Sequence, residues 1–283
     1  MKGLNKKIHR KILKHLLVSS YGIAHRMINA FAIVSLISFT VCIILGFFVY
    51  YKEVKYKFDN KLAKIFVLLC LSLGFFWAFI EFGYRSATDF NTAYLWSKVN
   101  VLWYFVVSFL VHFTLILTGK SKLVQNKLKY LLIYGPAIIF FLFDINTKML
   151  LTEPIKQTWG WTYGIPKYPL VYNISTTWAA FSGIFCIYMC LDYYINLNNI
   201  SKKKAMKYTI IGFLIPMGIS LQTEWLFPIM KIQFPELLVP SLTIGLIIIW
   251  YTTLKLSTSN NLRGYNEIKE EVDFLLKTSK INI

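Results

Sequence analysis

Apolar residues in this chain come in long runs broken by short charged clusters, with neither the alternation of a half-buried strand nor the single stripe of a soluble amphipathic helix. Seven such runs extend approximately from Ile28 to Tyr51, Leu62 to Tyr84, Ala93 to Thr118, Leu128 to Phe143, Val171 to Tyr194, Tyr208 to Phe227 and Leu237 to Leu256. A helix needs about 20 mostly apolar residues to cross a bilayer, and each run except the fourth approaches that length. The fourth is short and broken by Gly135-Pro136. Most connections are a few residues long, which leaves no room for a soluble domain between spans, and no internal repeat is visible. The pattern predicts an all-α polytopic membrane protein: a basic tail over residues 1–27, a seven-transmembrane-helix bundle over 28–256, and a cytoplasmic linker with a short amphipathic helix over 257–283.

Composition agrees. The 283 residues are 56% hydrophobic and 16% charged, against roughly 45–50% and about 25% for a soluble domain. The net charge of +18 is best used by loops held against an anionic cytoplasmic leaflet, not by a nucleic-acid surface. Connections after spans one, three and five carry Lys52, Lys55, Lys57, Lys61, Lys64, Lys120, Lys122, Lys127, Lys129, Lys202, Lys203, Lys204 and Lys207. Those after spans two, four and six carry only Arg85, Lys148, Lys156, Lys167 and Lys231. Positively charged loops stay inside, so the amino terminus is expected outside and the carboxyl terminus in the cytoplasm. The basic tail opposes this orientation, with Lys2, Lys6, Lys7, Arg10, Lys11, Lys14 and Arg26 ahead of the first span. Either translation starts at Met27, or the tail is a basic amphipathic helix that stays inside and forces another topology.

Ionisable groups in apolar spans cost a few kcal/mol to insert, so each asks for a reason. Glu81, Lys98 and Glu224 are expected at one level toward the outer half, with Trp77, Tyr84, Trp96, Trp103 and Trp225 at similar depth. The loop after span four adds Trp159, Trp161, Tyr163 and Tyr168. One reading is an outward-opening ligand pocket built from Glu81, Trp96, Lys98, Trp103, Trp159, Trp161, Glu224 and Trp225. The other is an interfacial aromatic belt with Lys98 snorkelling to headgroups and Glu81 and Lys98 forming a structural ion pair. His112 reads as a hydrogen-bonded interior residue, and Asp192 as a structural group near the basic residues that follow it. Cys42, Cys70, Cys186 and Cys190 read as small packing residues. No hydrolase, metalloprotease or nucleotide-binding motif occurs, so catalysis, a metal and a cofactor are not expected.

Beyond the last span, Ile268, Val272, Leu275 and Leu276 are spaced as one helical face behind a polar stretch, with Asn266 as N-cap. Such a face relays a signal if it packs against a second copy or a following domain. The alternative is a helix lying on the bilayer.

The run Trp96 to Gly119, W-S-K-V-N-V-L-W-Y-F-V-V-S-F-L-V-H-F-T-L-I-L-T-G, resembles the third helix of the seven-helix sensory region at the amino terminus of certain bacterial and archaeal histidine kinases. The Trp159-Gly160-Trp161 loop, the Lys207 to Gly212 opening of helix six and the seven-span topology are similar too, over about Met27 to Leu256. The resemblance implies reception of an extracellular or membrane signal and relay through helix seven to a cytoplasmic output module of a two-component system. It carries no binding residue over. A histidine kinase also needs a phosphoacceptor histidine after the last span, and the four histidines here are His9, His15, His25 and His112. The expectation is therefore a non-enzymatic receptor half of a larger kinase, or a stand-alone sensor acting on another chain. Expected partners are the lipid bilayer, a small-molecule or membrane signal, a signalling module in cis or trans, and a second copy in a homodimer. A small transporter or channel component, with the buried charges marking a path, is the competing function, and a structural subunit the third.

Overall fold

A computed structural model describes residues 29–56, 61–123, 127–147, 152–166 and 168–254. Both the basic tail and the segment holding Ile268, Val272, Leu275 and Leu276 lie outside the described residues. Seven helices follow one another: α1 (Ala30–Tyr56), α2 (Lys61–Arg85), α3 (Phe90–Leu117), α4 (Lys127–Thr147), α5 (Pro169–Ile195), α6 (Ile200–Leu226) and α7 (Leu238–Ile249). The first six are long and apolar enough to cross a bilayer, while α7 is shorter. Ile37, Ile44, Phe47, Leu132, Leu170 and Tyr188 stand exposed on the outer surface, as a lipid solvent permits.

Short polar links set the helix starts. Asp89 caps α3 by accepting the Thr92 N–H at 2.9 Å, and this bond holds its exposed carboxyl below the usual carboxylate range. Asn199 caps α6 through the Lys202 N–H at 3.0 Å. The Gly135-Pro136 break predicted for span four does not occur: α4 runs through Pro136 uninterrupted. Proline removes an N–H and crowds the preceding turn. Next to that gap, the Ser108 hydroxyl of α3 donates to the Ile133 carbonyl at 2.9 Å, the kind of compensation that makes proline tolerable in a membrane helix.

Helices α1, α2, α3, α5, α6 and α7 form a ring in which each packs on the next and α7 closes against α1, while α4 packs against α3. The ring has two unlike halves. Toward the lysine-rich end it is solid, with Cys42, Phe66, Phe113, Cys186 and Ile249 in one core. His112 bonds the Tyr134 hydroxyl at 2.7 Å, and Asp192 meets Lys120, beyond α3, at 2.9 Å instead of the lysines that follow it. The opposite end bears an antiparallel hairpin, β1 (Thr152–Gln157) with β2 (Gly160–Pro166), where the sequence pattern showed only a loop. Gln157 pairs with Gly160 across the turn, and Gly160 has φ +110°, a backbone that favours glycine.

Three wide π-turns interrupt the regular winding: Gly74–Ala78 in α2, Leu221–Leu226 ending α6, and Trp250–Leu254 after α7. Each shifts the register of the residues beyond it, and such turns recur at functional sites.

Helix α7 packs most closely on α6, where Gly212 and Gly245 let the backbones touch. A Cβ on Gly245 would run into the Gly212 carbonyl oxygen, and one on Gly212 would come within 3.0 Å of the Gly245 oxygen. Small residues at such contacts allow membrane helices to approach. At Gly183 of α5, by contrast, an added Cβ would meet nothing within 4 Å. Thermal unfolding in detergent is expected to show Gly245→Ala destabilised by about 1–3 kcal/mol through overpacking, and Gly183→Ala unchanged or stabilised by up to about 1 kcal/mol. Equal stability of the two variants would contradict the close α6–α7 contact.

Candidate functional site

The hairpin end is organised around a buried guanidinium. Glu81 and Arg85 are four residues apart at the end of α2, so they share a helix face, and Arg85 Nε donates to Glu81 Oε1 at 2.7 Å. Arg85 Nη2 reaches across to the segment before α7, donating to the Glu236 carbonyl at 3.0 Å and to Glu236 Oε2 at 3.2 Å. The other Glu236 oxygen accepts from the Thr162 hydroxyl of β2. Only 3% of Arg85 and 5% of Glu81 is exposed, so this is a buried charge network whose members need one another.

Aromatic contacts fix the hairpin over it. Tyr84 donates to the Thr162 carbonyl at 2.7 Å and stacks on Tyr163 with ring centres 5.2 Å apart. Trp161 Nε1 donates to the Ala87 carbonyl at 2.8 Å, and the Asn29 side chain donates to the Trp159 carbonyl. A Cβ on Gly160 would come within 2.7 Å of the Arg85 carbonyl oxygen, so the turn sits directly on the end of α2. Burial, then the neighbouring Glu81 carboxylate, pushes the Tyr163 phenol well above its ordinary range, so it remains a neutral hydroxyl.

Beneath the hairpin lies a cavity of about 540 Å³ lined by residues of α2, α3, α4, α5, α6 and α7 and of the hairpin. Its walls are apolar and aromatic, with Trp77, Trp103, Tyr104 and Tyr172 among them. Glu81, Asp144, Glu224 and Glu236 also line it, together with Asn100 and Tyr163. The π-turn ending α6 presents Glu224 to the cavity and Thr223 to α7, where Leu237 N–H donates to the Thr223 hydroxyl at 3.5 Å. A mostly apolar hollow with a few convergent polar groups is the form that small-molecule sites take.

The structure brings together part of the expected site. Glu81, Trp103, Glu224 and Trp225 line the cavity. Trp96 does not, because it packs against Gly83 and meets the edge of Phe79 at 5.7 Å. Trp159 and Trp161 lie in the hairpin and hold it in place. Lys98 is not the partner of Glu81: its ammonium sits over the Tyr94 ring at 4.7 Å, and Arg85 takes the role. Arg85, counted among the loop charges in the orientation argument, is buried instead. The i,i+4 spacing of Glu81 and Arg85 was the available signal. Tyr163 was among the loop aromatics expected at that level, whereas Glu236 and Asp144 were missed, since their convergence depends on helix rotation and on the hairpin.

Residues 34–258 match the family model described as the N-terminal 7TM region of histidine kinase. No curated protein and no solved structure matches the chain.

Removing one member of a buried pair leaves an uncompensated charge, which costs about 3–5 kcal/mol. Arg85→Gln is expected to lower stability by that order in thermal unfolding, Glu81→Gln added to it should restore part of the loss, and Lys98→Ala should be close to neutral. Loss on Lys98→Ala equal to that on Arg85→Gln would contradict the assignment.

Proposed function

The chain belongs to the family of N-terminal 7TM regions of histidine kinases, and from that premise we propose that its cavity is the input site of a membrane sensor whose output leaves through α7. The protein is a multi-pass membrane protein and its family a sensory one; the matched stretch is the sensory region, and no catalytic role is assigned to it. The observation that carries the finer reading is the double attachment of the segment leading into α7. Glu236 lines the cavity while its backbone and side chain are held by Arg85, and Thr223 beside Glu224 meets Leu237 at the start of the helix. A molecule in the cavity therefore touches both supports of α7. Val239, Leu242 and Leu246 carry the cavity wall down α7 as far as the Gly212–Gly245 contact.

Physically, the sensor needs two arrangements of α7 and a ligand that prefers one, because equal affinity shifts nothing. The π-turns at the end of α6 and after α7 are places where register changes at low cost. The hairpin end is taken as the outer face, as the lysine asymmetry directs, with α7 leading toward the cytoplasmic segment of Ile268, Val272, Leu275 and Leu276 and an output module in the same or another chain. Nothing in the family match favours the transporter alternative.

A bulky side chain grown into the cavity tests this without knowledge of the ligand. Gly183 lines the cavity and has open space around it, so Gly183→Phe should fold and partly fill the hollow. Hydrogen exchange in nanodiscs is expected to change by at least about threefold across Leu238–Ile249 while the solid half, around Phe66 and Phe113, keeps wild-type protection. Unchanged exchange in α7 in a folded Gly183→Phe protein would count against the sensor reading.

A further inference from the structure

The charges around the cavity are the inverse of those on the protein. The chain carries 31 basic residues against 13 acidic ones, yet four carboxylates, Glu81, Asp144, Glu224 and Glu236, line this one hollow, and no Lys, Arg or His does. Arg85 lies behind Glu81 and Glu236, and the nitrogens it turns toward them are bonded to them. Glu81, Glu224 and Glu236 outnumber the one guanidinium, which is bonded to two of them, and a charge left unpaired in a low-dielectric site is costly.

Among the described residues four buried polar atoms lack a hydrogen-bond partner, Arg85 Nη1, Trp159 Nε1, Asn100 Oδ1 and the Tyr163 hydroxyl, and the last two belong to residues that line the cavity. A buried carbonyl oxygen left unpaired costs about 1–3 kcal/mol, and it can accept a hydrogen bond but not give one. The rings of Trp77, Trp103 and Tyr172 add the faces that attract a cation. Phe181, Ile184, Leu221 and Trp225, apolar side chains of α5 and α6, both line the cavity and are exposed on the outer surface, which points to an opening between these helices.

We infer that the cavity binds an organic ammonium ion carried on an apolar body, the ammonium group directed to Glu224, Glu236 and Asn100 and the body lying against the aromatic walls between α5 and α6. The inference rests on the cavity being the sensor's input site. An ammonium group supplies the missing positive charge and the missing donors together, and the volume of about 540 Å³ is in the range of small-molecule pockets. A carboxylate or phosphate of the same size would meet a wall lined by acidic side chains and, among the described residues, by no Lys, Arg or His. The apolar opening admits a molecule that partitions into the bilayer before it binds, which suits an amphiphilic amine.

The test uses the full chain in phosphatidylcholine nanodiscs and three probes of nearly equal shape: 2-phenylethylammonium, 3-phenylpropionate and propylbenzene. Isothermal titration calorimetry is expected to give saturable binding of the ammonium probe at least about tenfold tighter than of either other probe. Glu224→Gln should weaken it about tenfold, and Lys98→Ala should leave it unchanged. Should Glu224→Gln fail to show a wild-type thermal transition, Tyr163→Phe, which removes one orphaned oxygen and little volume, is expected to weaken binding by at least about twofold. Absence of saturable ammonium binding, equal or tighter binding of the carboxylate, or full affinity in the folded variant overturns the inference. If Gly183→Phe still alters exchange in α7 when ammonium binding fails, the ligand class alone is wrong. If ammonium binds and Gly183→Phe leaves α7 unchanged, the sensor reading fails while the site stands.

Discussion

The hairpin end of this protein is arranged around the guanidinium of Arg85. A cation with 3% of its surface exposed at the end of a membrane helix must be met by carboxylates, and the two that meet it come from different parts of the chain. Glu81 is local, one helical turn back; Glu236 is 151 residues away. Satisfying the charge therefore joins α2 to the strand of chain entering α7, and Thr162 on the second Glu236 oxygen brings in the hairpin. Tyr84 on the Thr162 carbonyl and Trp161 on the Ala87 carbonyl tie the hairpin to the end of α2 a second time. Such a network adds little net stability, since desolvation offsets the attraction, but it is strongly selective for one arrangement because every broken member leaves another unpaired.

The rest of the bundle divides accordingly. Near the lysine-rich end, Phe66, Phe113, Cys186 and Ile249 pack in one apolar core, and dispersion contacts dominate the helix packing. At the other end, polar and aromatic groups stand around a hollow. In the proposed sensor the half that carries the polar network is the half that responds, and α7 runs from one half to the other, pressed on α6 at Gly212 and Gly245.

Helix number and extent were legible because lipid demands about 20 apolar residues per span, and α1, α2, α3 and α5 follow their runs closely, while α6 starts at Ile200 instead of Tyr208 because its first turns carry the lysines of the inner loop. Span four looked broken because the sequence shows Pro136 but not Ser108 beside it. The hairpin was invisible because Thr152–Pro166 has no clean alternation, and its order comes from Arg85, Ala87 and Asn29, which lie outside it. At the site, Glu81 and Glu224 were found because a carboxylate in an apolar run is conspicuous wherever it faces. Lys98 was conspicuous for the same reason and yet points elsewhere, since a lysine stem can carry its ammonium to Tyr94. Arg85 was passed over as a loop charge although its spacing from Glu81 marked it. Which charges share a cavity depends on helix rotation, and rotation is set by packing.

The account stands on the claim that the cavity acts on α7 through Glu236. Hydrogen exchange across Leu238–Ile249, compared for Gly183→Phe with Glu236 intact and with Glu236→Gln, addresses that claim most directly. The account predicts that the effect of filling the cavity is largely lost once Glu236 no longer carries charge to Arg85. The same effect in both backgrounds would contradict it.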